Sequence, residues 1–213
     1  MNRKATTLVE TMIVMILLVV LLTSIWRVYS ATQKNAVEIM ANHQINDELD
    51  RTLIKITDDI REANAVDKDY PPIYELSEIE SIKTEDEKNQ LVFTKVNYDF
   101  SQDPNASDKG LSYTSNKIKY FVEKEDPTNQ NSKWMLNREM TPFDENDSLV
   151  ESDMTIHNIL NGIDECIFYR IKDPDATRTG NIYIHIKMGR KDDGKYTNES
   201  TISVKERGAM PTS

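Results

Sequence analysis

One carboxylate stands where charge is otherwise excluded. Between Ala5 and Trp26 the chain carries no Lys or Arg and a single acid, Glu10. At about 1.5 Å per residue, a helix from Thr6 to Trp26 spans roughly the 30 Å hydrocarbon core of a bilayer. A carboxylate inside such a helix costs about 2.5 to 3.5 kcal/mol at mid-bilayer and less near an interface, which makes it a functional candidate by default. The bland alternative is that Glu10 merely lies among the headgroups. Arg3 and Lys4 stand just before the run, so the positive-inside tendency keeps the start of the chain in the cytoplasm and sends the residues after Trp26 across. A cleaved secretory signal fits poorly, because the apolar run is too long and the residues from Thr23 to Arg27 make a poor cleavage site.

Other groups whose types could do chemistry are less convincing. Asp103, Asn105 and Asp108 in one loop, and Asp173 and Asp175 in another, place oxygen donors of the kind calcium takes. Neither loop supplies the distal bidentate acid of a complete site, which favours solvated turns, and no cofactor or metal is expected. Gly189 to Lys195 copies the spacing of a phosphate-binding loop, but Tyr196 replaces the hydroxyl residue, two aspartates would repel phosphate, and the flanking elements read as strands. His43, His157 and His185 share no metal spacing with each other or with Cys166. Cys166, the single cysteine, cannot close an internal disulfide and begins an apolar run, so it reads as a small buried hydrophobe. No nucleophile elbow or zinc-protease motif occurs, and the chain is not expected to be an enzyme. A formal charge of −10 argues against a nucleic-acid surface.

The elements that must position Glu10 can be read from periodicity. No Pro or Gly interrupts the chain from Thr6 to Asp69. Ile45, Leu49, Leu53, Ile56, Ile60 and Ala63 form a stripe along one helical face, with Asp47, Asp50, Lys55, Asp58 and Asp59 among the charges on the others. The pattern predicts a membrane-spanning part over 6–26 and an amphipathic continuation over 27–69, ended by Tyr70-Pro71-Pro72. Heptads are not sustained between Tyr29 and His43, which disfavours a long coiled coil. A helix of this length needs something to pack on, most simply a sheet made by the rest of the chain.

Residues 70–213 read as a β-rich head. Leu76, Ile79 and Ile82 predict a short surface helix, and period-two alternation predicts strands from Gln90 to Phe100 and from Lys117 to Glu123. Ser101 to Ser115 between them is polar and turn-rich. Further strands are expected around Trp134 to Arg138, over Cys166 to Ile171, which Ile156 to Ile163 approaches, from Ile182 to Met188 and from Thr201 to Arg207. A long helix followed by antiparallel strands is an α+β layout in which the sheet covers the stripe.

The leader resembles the N-terminal signature of type IV pilins and pseudopilins: a short basic segment, a small residue, four uncharged residues, then Glu10 opening a long apolar helix. The resemblance implies that residues 1–5 are a leader peptide and that a prepilin peptidase cuts between Ala5 and Thr6. It further implies methylation of the new Thr6 amine, and pairing of Glu10 with the N-terminal amine of a neighbouring subunit. The family prefers Gly before the cut and Phe after it; Ala is a permitted variant. Asp58 to Ala63, and Ile159 to Ile163 followed by Phe168-Tyr169, look like features of the J-type minor pseudopilin and the W-type minor pilin. The presence of Glu10 argues against the K-type tip pseudopilin. The implied partners are prepilin peptidase, other pilin or pseudopilin subunits and the bacterial inner membrane, followed by a filament. The rival expectation is an unprocessed single-pass anchor carrying an extracytoplasmic binding domain.

Overall fold

The computed structural model describes residues 3–99, 112–144, 148–172, 181–189 and 197–205. They form one long helix, α1 (Arg3–Glu62), and eight strands, and the chain divides into two compact units, Met1–Gln44 and Ile45–Ser213.

The described residues of the first unit are helix alone. From Leu8 to Trp26 its large apolar side chains are exposed, and the helix is long and apolar enough to cross a membrane. The few hydroxyls in this stretch turn back on the backbone. Thr11 Oγ1 donates to the Leu8 carbonyl at 2.8 Å, Thr23 Oγ1 to Val19 and Val20 at 3.0 and 2.9 Å, and Ser24 Oγ to Val20 at 2.8 Å. That arrangement leaves none of these hydroxyls in need of water.

In the second unit the rest of α1 lays its stripe on a sheet. Leu49, Leu53, Ile56 and Ile60 are buried in one core with Leu91, Phe93, Ile118, Leu136, Phe168 and Ile184 from the strands. The strands are β1 (Ala65–Val66), β2 (Ile73–Tyr74), β3 (Gln90–Asp99), β4 (Ser112–Lys124), β5 (Trp134–Pro142), β6 (Thr155–Ile171), β7 (Ile182–Gly189) and β8 (Thr197–Val204). Their order is β1-β3-β4-β5-β6-β7-β8, antiparallel throughout, with β2 added parallel to β6. The predicted α+β layout, with the sheet over the helical stripe, is what the structure has. β7 alternates strictly: Ile182, Ile184, Ile186 and Met188 are buried and the residues between them are half-buried.

Three expectations need correcting. The helix ends at Glu62, not at residue 69. Ala63 N–H closes the last turn on Ile60 O at 3.2 Å, and the chain is then captured by the outer edge of β3. There Asn64 N–H donates to Thr94 O, Asp67 N–H donates to Val92 O, and Val96 N–H donates to the Asn64 side chain, each at 2.9 Å. Pairing with a distant strand overrides local helical propensity here. Second, the segment from Ile156 to Ile163, expected only to lead into a strand at Cys166, is itself strand, and the two make one strand of 17 residues, β6. Register shifts near Ile163 and a positive φ of 74° at Gly162 let it change partners without ending. Third, β4 begins at Ser112, inside the stretch expected as loop, and β5 runs on to Pro142. The short helix expected near Leu76 is a 3-10 turn, Leu76–Ser81.

Candidate functional site

Ala5, Thr6 and Glu10 all lie within α1. Glu10 is exposed, with Leu8, Val9, Met12 and Ile13 exposed around it on an apolar helix. A carboxylate in that setting is costly in hydrocarbon until a proton or a cation meets it, and a cation held there in turn gains most from a carboxylate.

Asp103, Asn105, Asp108, Asp173 and Asp175 lie outside the described residues, as do residues 190–196 of the phosphate-loop-like segment. Gly189 pairs with Thr197, so that segment connects two antiparallel strands, as expected of a hairpin. Among the described residues no three His, Cys, Asp or Glu side chains come together as metal ligands. His185 Nδ1 sits 2.9 Å from Thr201 Oγ1, while His157 pairs across the ladder with Arg138 on other strands. Cys166 is fully buried, and burial pushes its thiol far above the ordinary range, so the group is an inert part of the core.

The polar centre that sequence reasoning missed is Asp59. Its charge alone puts it with the outer faces of the helix, yet it is only 8% exposed. Its Oδ2 accepts from Tyr120 Oη on β4 at 2.7 Å and from Arg138 Nε on β5 at 2.9 Å. Lys95 Nζ on β3 lies 3.4 Å from Oδ1 and 2.5 Å from Glu62 Oε2. Burial, and then the bond to Asp59, push the Tyr120 phenol well above its usual range. Burial works against the Arg138 cation, but the Asp59 carboxylate beside it more than offsets this, and its pKa is raised. One carboxylate near the end of α1 therefore gathers three strands. The signal was available: steps of four, three and four from Thr52 through Ile56 and Asp59 to Ala63 keep to the buried face.

Two further polar anchors hold the edge that β5 leaves behind when β6 turns to β7. Asn89, buried at the end of a loop, donates from Nδ2 to Cys166 O at 2.7 Å and to Thr84 O at 3.0 Å, and accepts from Phe168 N–H at 2.9 Å. Arg170, 1% exposed, donates from Nη2 to the carbonyls of Asp67 at 2.6 Å and Tyr70 at 3.3 Å. These groups bind the chain to itself and complete no catalytic constellation.

Comparison of the chain with protein-family models, with curated proteins and with solved structures returns no match. The class defined by the chain's own features is an α+β protein whose apolar N-terminal helix is able to cross a membrane once and whose sheet packs on the helix's C-terminal third.

Proposed function

We propose that this chain is a minor pilin or pseudopilin: a structural subunit of a type IV pilus or of a type II secretion pseudopilus. The observation that carries the reading is the placement of Glu10, five residues after Ala5, in an exposed apolar helix continuous with a segment packed on an antiparallel sheet. Before assembly the helix resides in the bacterial inner membrane, start of the chain in the cytoplasm and head outside. Prepilin peptidase cuts between Ala5 and Thr6, and the Thr6 amine is methylated. In the filament that amine meets Glu10 of a neighbouring subunit, so that each charge removes the other's desolvation cost. A shared screw operation joins unlike surfaces of successive subunits, which lets such an assembly grow.

Mass spectrometry of the native protein tests the first step. A chain starting at methylated Thr6 is expected; an intact Met1 start refutes processing and favours an anchored binding domain. Glu10→Ala tests the second. Membrane insertion is expected to persist while incorporation into filaments falls, and normal incorporation of the variant refutes the pairing.

A further inference from the structure

Among the described residues the sheet has four strand edges that its own ladder does not use. The outer edge of β3 is taken by β1, by Asn64 and by Asp67. The edge of β6 beyond its bulge is taken by β2, by the Asn89 side chain and by Thr84 Oγ1, which accepts from Cys166 N–H at 3.2 Å. Two have no backbone partner among the described residues: the side of β6 away from β5 over 155–161, and the outer edge of β8, which has a groove beside it. Proteins usually blunt such an edge with Lys, Pro, a bulge or a short strand. β8 has none of these: eight residues pair with β7 in unbroken register, rich in Thr and Ser, and Glu199 is their one charge.

Beside this edge lies a groove of about 330 Å³ between β8 and α1. Leu53, Ile54 and Ile202 give it an apolar wall, and Asp50 and Asp58 give it carboxylates. Arg61 answers Asp58, at 3.9 Å with both side chains more than half exposed, and Asp50 keeps the groove acidic. The less exposed residues of β8, Asn198, Ser200, Ile202 and Val204, alternate along the strand, and Asn198 donates to Asn46 on α1. A strand added at the usual spacing of about 4.8 Å would continue this alternation and lay every second side chain over the groove.

We propose that the β8 edge and the groove beside it dock an extended segment of a partner protein whose groove-facing side chains are basic and apolar in alternation. Backbone pairing to β8 supplies affinity, and Asp50, Asp58 and Ile54 supply selection. A second copy of this chain is the wrong occupant. Its own β8 carries no Lys or Arg, and each copy has a formal charge of −10. The inference does not use the assignment of Glu10.

The probe is the fluorescein-labelled heptapeptide TKTVTKT, with TETVTET as control, added to the full chain in detergent micelles and followed by fluorescence anisotropy and hydrogen exchange. Saturable binding of TKTVTKT is expected, with slowed exchange of the amides of residues 197–204. Asp50→Lys is expected to weaken it about fivefold or more at low salt, and Ile54→Lys, an exposed position that leaves the core intact, to abolish it. Any of four results overturns the proposal: no saturable binding at millimolar peptide, equal binding of the two peptides, slowed exchange near residues 65–66 instead, or dimerisation of the chain that Ile54→Lys abolishes. Binding only by a chain shortened to end at Lys205 also overturns it, because the groove is then the seat of the chain's own tail.

Discussion

Replacing Asp59 by Asn keeps the shape of the side chain and removes the charge that three donors share. Tyr120 Oη and Arg138 Nε converge on one carboxylate oxygen, at 2.7 and 2.9 Å, and Lys95 approaches the other. Asn has only one acceptor oxygen, so in either orientation its NH2 faces a donor. Removing one partner of a buried ion pair costs about 3 to 5 kcal/mol. The Asp59 and Arg138 side chains keep 11% and 14% of their exposure, and Lys95 retains Glu62, so a smaller loss is expected here. A discounted value of about 2 to 4 kcal/mol corresponds, for a unit of this size, to a fall in melting temperature on the order of 5 to 15 °C. The assay is thermal unfolding of the full chain in detergent micelles, read by near-UV circular dichroism, which follows tertiary packing around the tyrosines. Arg138→Gln measured alone and together with Asp59→Asn closes a cycle in which the double variant should lose at least about 1 kcal/mol less than the sum of the singles. A shift under 2 °C for Asp59→Asn, or strict additivity, refutes the clamp.

Tyr120 gives that clamp a pH signature. Its folded pKa lies above the unfolded one, so its contribution is complete below about pH 10 and declines as pH rises, by at most about 1.4 kcal/mol per pH unit, because the unfolded phenol ionises while the folded one stays protonated. Tyr120→Phe should therefore cost about 1 to 2 kcal/mol at neutral pH and show a shallower alkaline decline in urea unfolding; equal slopes count against the assignment. Ile56→Ala, at a fully buried position, should lose about 2 to 5 kcal/mol, whereas Ile54→Ala, at 61% exposure, should stay within about 0.5 kcal/mol, compared in the same denaturation series. Asn89→Ala strands the Phe168 amide and the Cys166 carbonyl and should cost about 2 to 4 kcal/mol, with hydrogen exchange at Phe168 accelerated; unchanged exchange there contradicts its role as an edge cover.

Patterns of side-chain polarity were legible wherever one partner surface decides them. Ile182 to Met188 alternate because one face meets the core, and Leu49 to Ile60 recur at helical spacing because one stripe meets the sheet. What stayed hidden depends on partners far along the chain. Asp59 looks like any surface acid until Tyr120 and Arg138, 61 and 79 residues away, are brought to it. The end of α1 at Glu62 is set by β3, and the double allegiance of β6 by where β5 stops and β7 begins. Glu10 is the opposite case: its uncharged surroundings are contiguous in the chain, so its setting in an exposed apolar helix could be read at once.

From β3 to β8 the spatial order of the strands is their order in the chain, so each hairpin can zip onto the one before it as the polypeptide emerges. The cover over β6 breaks that rule, because Asn89 must find Cys166 and Phe168 across 77 and 79 residues. The head is therefore a sequential meander whose cover over the C-terminal half of β6 is drawn from far earlier in the chain and occupies an edge that another strand could otherwise pair with.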